Sequence, residues 1–160
     1  LRQQQKIDEF FDKYTFYDLA YNLRPTEITG ILAIEELKSI DEIVTKRETN
    51  FLQFNDAIAD NSALTKLNVK NLTKISNFAF PLIFKNQENF DLYKKRFIDN
   101  NVEIRPIVGG NIASQPFFKK YFNKKWNLPN SDRTHKFGFY FPNNPELTEQ
   151  EIERILTILA

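Results

Sequence analysis

An α+β fold is predicted, in which a long helix leads into a small three-stranded sheet covered by helices. Three observations predict it. Apolar residues recur at three- and four-residue spacing from Ile28 to Ile58, the period of an amphipathic helix. Short runs rich in strand formers at 77–85, 102–108 and 139–141 then alternate with helical patterns. The chain closes on Thr148-Glu149-Gln150-Glu151, a capping-box signal for a last helix. With 160 residues, 41% hydrophobic and 16 of them Phe, the chain has material for one domain with a real core.

Residues 1–18 are mixed. Ile7, Phe10, Phe11 and Tyr14 make one short helical face, and Tyr14-Thr15-Phe16-Tyr17 reads as a brief extended segment. Residues 19–25 are irregular, because Pro25 disfavours a helical backbone at Arg24. Thr26 or Pro25 opens the long helix, with Glu27 in its first turn, where the helix dipole favours an acid. Its apolar face is Ile28, Ile31, Leu32, Leu37, Ile40, Ile43 and Val44, continuing through Phe51, Phe54 and Ile58. Glu35, Glu36, Lys38, Asp41, Glu42, Lys46 and Arg47 supply the wet face. Such a length is unusual within one globular domain and suits a bridge between two modules, with or without a kink.

A polar linker follows Asp60-Asn61-Ser62. The strand at 77–85 contains Pro81, which places it at an edge or a bulge. Asn89 is read as the cap of a helix with Phe90, Tyr93, Phe97 and Ile98 inward, stopped by Asn100-Asn101. Residues 102–108 alternate as a strand, which Gly109-Gly110-Asn111 breaks. Ser114-Gln115-Pro116 starts a short helix, Ser131-Asp132-Arg133 starts another, and Gly138 ends that one. Phe139-Tyr140-Phe141 is a short strand, and the last helix carries Ile152, Ile155, Leu156 and Leu159. The strand directions stay open.

Composition excludes several function classes. The net charge is +1, with Lys and Arg scattered among acids, so no global field favours nucleic acid or an anionic membrane. Without cysteine there is no disulfide framework and no thiolate metal site. One histidine makes a His-rich metal site equally unsuited. No apolar run approaches the ~20 residues of a membrane span. The polar start shows no signal peptide, and the absence of Met suggests a fragment or a processed piece, with the cytoplasm as the default location. There is no G-x-S-x-G elbow, Walker A loop or G-x-G-x-x-G.

Two clusters remain. Asn22 and Arg24 read either as a local turn with a solvated arginine or as an anion site beside a helix N-terminus, since amides and guanidinium forks suit phosphate oxygens. Arg105 and Asn111 flank a Gly-Gly turn, which is either a plain strand-to-helix loop or a place where backbone approaches a ligand. His135 reads as a surface or capping histidine at a negative helix end, with a substrate contact as the other reading. Tyr121, Phe122 and Trp126 among Lys119, Lys120, Lys124 and Lys125 read as packing plus a wet face, with nucleic-acid binding as the minor alternative given the near-neutral charge.

The clusters together carry a resemblance. Tyr21-Asn22-Leu23-Arg24-Pro25-Thr26-Glu27-Ile28, then Glu35-Glu36-Leu37-Lys38 and Lys46-Arg47-Glu48-Thr49-Asn50, resembles a segment of DegT/DnrJ-type sugar aminotransferases. Glu103-Ile104-Arg105-Pro106-Ile107-Val108-Gly109-Gly110-Asn111 and Gln115-Pro116 are similar to a segment of a branch that includes the deoxysugar 3-dehydratases. Leu128-Pro129-Asn130-Ser131-Asp132, Gly138-Phe139-Tyr140 and the tail from Leu147 to Ile152 continue the match, which covers nearly the whole chain.

The resemblance implies an aspartate-aminotransferase-like fold, pyridoxal 5'-phosphate as cofactor, and a homodimer acting on a nucleotide-linked sugar. It implies that residues 1–25 are the tail of a large cofactor domain, 26–60 a bridging helix, and 61–160 the C-terminal small domain. Asn22 matches an asparagine that reaches the cofactor phosphate of the other subunit, and Arg24 matches the neighbouring arginine of that loop. Arg105 and Asn111 match a segment near the sugar or nucleotide phosphate. Ala20 replaces the family's glycine before the Tyr-Asn pair and narrows the backbone range there. The catalytic lysine, or the histidine that replaces it in the dehydratases, is expected upstream of residue 1. The leading expectation is transfer of an amino group from glutamate to a keto sugar. The alternatives are a 3-dehydratase of the same fold and a stand-alone α+β interaction domain without catalysis.

Overall fold

The structure is a computed structural model and describes residues 1–23 and 25–160. Helix α1 (Glu9–Asp12) is one turn, started by Asp8, whose carboxylate accepts from the Phe10 amide. The long helix is present as two segments, α2 (Glu27–Glu36) and α3 (Ile40–Ala57), joined by a 3-10 turn at Leu37–Ser39. Thr26 is its cap, with its hydroxyl accepting from the Thr29 amide. The kink sits where Ser39 leaves helical geometry, at φ −107° and ψ 9°.

Strand β1 (Ala79–Ile83) is followed by α4 (Gln87–Asp99), β2 (Arg105–Pro106), α5 (Pro116–Tyr121), α6 (Pro129–Phe137), β3 (Gly138–Pro142) and α7 (Glu149–Leu159). The sheet order is β1-β3-β2, and β3 runs antiparallel to both neighbours. This settles the strand directions: β1 and β2 run the same way, separated by β3. Pro81 lies on an edge strand, as expected of a residue with no amide to donate.

Register divides the sheet into two faces. Phe80 pairs with Phe141 and Leu82 with Phe139, so these four share one face. All four are at most 1% exposed. Phe51 and Phe54 of α3, Phe90 and Phe97 of α4, and Ile155, Ile158 and Leu159 of α7 close over them. The rings interlock edge to face, with Phe54 5.1 Å from Phe141 and Phe97 5.4 Å from Phe139. Each buried Phe contributes about 1.5–3 kcal/mol of apolar burial, so this layer is what holds the module. Asn143 is wholly buried at the end of β3 and donates to the Arg47 and Asn77 carbonyls, each at 3.0 Å, tying α3 to the sheet.

Several local expectations are corrected. Helix α4 is capped by Asn86, not Asn89, because the Asn86 side chain already accepts from the Asn89 amide. Ile98 is 54% exposed, one position past the inward stripe set by Tyr93 and Phe97. The 102–108 strand shrinks to Arg105–Pro106, since Pro106 has no amide and the chain then turns into Gly109-Gly110. Helix α6 starts at Pro129 rather than Ser131, because the fixed φ of proline suits a first helical turn.

The largest departure concerns α2. Ile28, Ile31, Leu32 and Leu37 are each more than 60% exposed, although their periodicity predicts an inward face. Along the helix, Ile43 and Val44 are the first half-buried apolar positions, and the helix joins the core cluster at Phe51 and Phe54. Residues 8–18 behave in the opposite way: Phe10 and Phe11 pack against the core cluster, and the Phe117 amide donates to the Phe16 carbonyl at 3.0 Å.

Candidate functional site

The second face of the sheet carries the polar chemistry. Register sets Arg105 of β2 directly opposite Tyr140 of β3. Glu103 lies two residues before Arg105, on the same side of an extended chain, and accepts from the Arg105 Nε at 2.8 Å. Tyr14 arrives from the N-terminal segment, and its phenol oxygen lies 2.6 Å from that of Tyr140. Phe78 stands edge-on to the Tyr140 ring at 5.8 Å. All of these but Tyr14 border a cavity of about 130 Å³, lined by Phe78, Ala79, Glu103, Arg105, Tyr140 and Pro142.

The electrostatics follow from these contacts. Burial, then the Tyr14 hydroxyl, pushes the Tyr140 phenol up to about 12. The Tyr140 hydroxyl, helped by the Arg105 guanidinium, draws the Tyr14 phenol below the ordinary tyrosine value. Tyr14 and the Glu103 carboxylate hold Arg105 still more firmly protonated. The result is a fixed cation at a cavity mouth, with a planar fork suited to phosphate or carboxylate.

The loop after β2 is built by glycines in the left-handed region, Gly109 at φ +71° and Gly110 at φ +48°. Asn111 sits inside this loop at 3% exposure. Its Oδ1 accepts from the Ala113 amide at 3.0 Å and its Nδ2 donates to Asp132 at 2.7 Å. Its side chain therefore shapes the loop and fastens it to α6. His135, also on α6, is half-buried against Phe11 and Gly110, and burial lowers its pKa. It borders a larger cavity of about 320 Å³ with Lys6, Gln115 and Lys119.

Sequence reading gave no site role to Tyr14, Tyr140, Glu103 or Gln115. Gln115 is 3% exposed and stitches three segments together. It accepts from the Phe16 amide at 2.9 Å and donates to the Tyr14 carbonyl at 3.1 Å and the Gly109 carbonyl at 3.0 Å. The available signal was that Glu103 and Gln115 lie in the segments that carried the family resemblance. Asn22 lies on the exposed stretch before α2, and Arg24 lies outside the described residues. Arg105 and Asn111 thus stand at the two ends of one loop, whereas Asn22 belongs to a separate stretch. Among the described residues there is no cluster of three metal-ligating side chains, and no helix is long and apolar enough to cross a membrane.

A sequence model of the DegT/DnrJ/EryC1/StrS aminotransferase family matches residues 2–160. The chain belongs to that family. Among curated relatives, the GDP-4-keto-6-deoxy-D-mannose 3-dehydratase of Escherichia coli O55:H7 is 29% identical over 95% of this chain. That of Yersinia pseudotuberculosis is 27% identical over 98%. The chain spans 40% of the length of each. A solved structure of the E. coli 3-dehydratase with bound hydrated PLP superposes with TM-score 0.72 and 26% identity, covering 96% of this chain and 40% of that one. The sugar aminotransferase CalS13 of Micromonospora echinospora superposes at TM-score 0.70 with 16% identity, covering 87% of this chain and 36% of that one, which shows the shared fold. The α+β module of this family member is therefore the aminotransferase-like fold expected from its sequence.

Proposed function

We propose that this chain is the C-terminal part of a pyridoxal-phosphate enzyme acting on a nucleotide-linked keto sugar, and that the reaction is 3-dehydration. The observation that carries the choice is the order of the relatives. The GDP-4-keto-6-deoxy-D-mannose 3-dehydratases of E. coli and Yersinia pseudotuberculosis reach 26–29% identity over at least 95% of the chain. The aminotransferase CalS13 shares the fold at 16%. The expectation of amino transfer from glutamate thus becomes the second reading, and an interaction domain without catalysis gains no support from the family match.

Pyridoxal 5'-phosphate supplies an electron sink for a carbanion when bound. On the side of this chain, Asn22 and Arg24 offer an amide and a guanidinium, a donor set that fits a phosphate, and the stretch that bears Asn22 is open enough to reach a second subunit of a homodimer. Arg105 takes the negative charge of the nucleotide sugar at the mouth of the small cavity, with Glu103 fixing its Nε. Asn111 acts on the substrate indirectly, by holding the Gly109-Gly110 turn in place. Residues 26–60 serve as the bridge, because the apolar α2 surface left open here is suited to a preceding cofactor domain of the same chain. Residues 1–25 are the tail of that domain, docked on the small domain through Phe10, Phe11 and Tyr14. The cytoplasm is the compartment that fits such an enzyme.

The test is a product assay. The protein containing this segment is incubated with pyridoxal phosphate, glutamate and GDP-4-keto-6-deoxymannose. A 3-deoxy product with release of ammonium is expected. A stable 4-amino sugar would return the assignment to amino transfer.

A further inference from the structure

We propose that Tyr14 and Tyr140 form a two-phenol clasp that sets the pose of Arg105, making both of them positioning residues for the anionic substrate. The proposal rests on the reading of Arg105 as the anion-binding side chain. Arg105 is exposed and lies on a two-residue edge strand, so neither burial nor a long ladder fixes its side chain. Without restraint it would lose considerable rotamer freedom each time it met a ligand.

Two contacts remove that freedom beforehand. Glu103 holds Nε from one flank. On the other side, Tyr140 stands directly opposite Arg105 in the register, and its phenol oxygen lies 2.6 Å from that of Tyr14, whose hydroxyl acts on the guanidinium. Either phenol can donate in that bond, and Tyr140 is the more deeply buried of the two. The Tyr140 hydroxyl and the Arg105 guanidinium both lower the pKa of Tyr14, so both act on its phenol oxygen. Tyr14 cannot drift, because Gln115 holds its carbonyl and its own amide donates to the Phe11 carbonyl at 3.1 Å. The charged and titratable groups that face Tyr14 are Tyr140, Arg105 and Glu103.

The clasp makes anion binding sensitive to alkali. As pH rises, Tyr14 ionises before Tyr140, placing a negative charge beside Arg105 and opposing an anionic ligand. The experiment compares the wild-type chain with Y14F, Y140F and R105A. It reads Arg105 Nε–Hε exchange by NMR and titrates GDP from pH 7 to 10. Backbone amide spectra check that each variant keeps its fold. Y14F and Y140F are expected to speed Arg105 Hε exchange and to weaken GDP binding about tenfold, the factor of one lost charge-assisted hydrogen bond. The alkaline loss of affinity is expected below pH about 10 in wild type and absent in Y14F. Wild-type Hε exchange in Y14F, or an alkaline loss that persists there, overturns the clasp. R105A reports on the underlying reading separately: weakened GDP binding in it supports Arg105 as the anion site, and unchanged binding removes that reading and the proposal with it.

Discussion

Gly110 and His135 are packed so closely that a Cβ on the glycine would lie 2.2 Å from the imidazole Nδ1. The same glycine has φ +48°, a region that disfavours any side chain. This pair fixes the loop joining Arg105 to Asn111 against α6. Gly110→Ala should destabilise the protein by about 1–3 kcal/mol, through backbone strain and collision together. Urea denaturation checks this. In the double variant with His135→Ala the loss should be smaller than the sum of the two single losses, because the collision is then gone.

The aromatic layer makes a larger prediction. Phe54 is fully buried and contacts both Phe80 and Phe141. Phe54→Ala should cost about 3–5 kcal/mol, the range for deleting a buried ring and leaving a cavity. The urea midpoint should fall with little change in slope.

Asp18 gives a pH-dependent contact. Lys120, then Tyr121 and the Leu19 amide, hold its carboxyl down to about 2. A depressed carboxylate pKa means the contact is fully formed above the unfolded value of about 3.9 and is lost as pH falls through about 2. The stability contributed by the Asp18–Lys120–Tyr121 link between the N-terminal segment and α5 should therefore decline between those values, and the link itself should open as pH falls through about 2. Chemical shifts of the Tyr121 ring should follow the change, and Asp18→Asn should remove it.

The open face of α2 separates two environments. Ile31 is 69% exposed, so Ile31→Asp should change the stability of this chain by no more than about 0.5 kcal/mol. In a longer protein whose preceding domain covers α2, the same change should lower the melting temperature clearly. Equal melting temperatures for wild type and variant in that longer protein would remove the proposed bridge.

Asn22 carries a functional prediction. In a longer protein that pairs as proposed, Asn22→Ala should weaken retention of pyridoxal phosphate, read as loss of the cofactor's absorbance after dialysis. Unchanged retention would count against its reaching the other subunit's cofactor.

By itself, the sequence determined the elements that rest on local chemistry. The capping box at Thr148 and Glu151 forms with both hydrogen bonds, Pro116 opens α5, and Phe90, Tyr93 and Phe97 turn inward at their helical spacing. The motif around Asn22 and the Arg105–Asn111 segment were enough to point to the family. Tertiary structure alone decided the rest. An apolar stripe states that a helix face seeks cover, not that cover lies within this chain, so α2 looked buried and is open. Periodicity places Arg105 and Tyr140 on strands, but only register sets them side by side. Tyr14 meets Tyr140 across 126 residues of sequence, a separation over which no local pattern carries information. Pairing across the sheet is a long-range choice, made by burying the phenylalanine layer beneath it, and the polar face above takes its geometry from that choice.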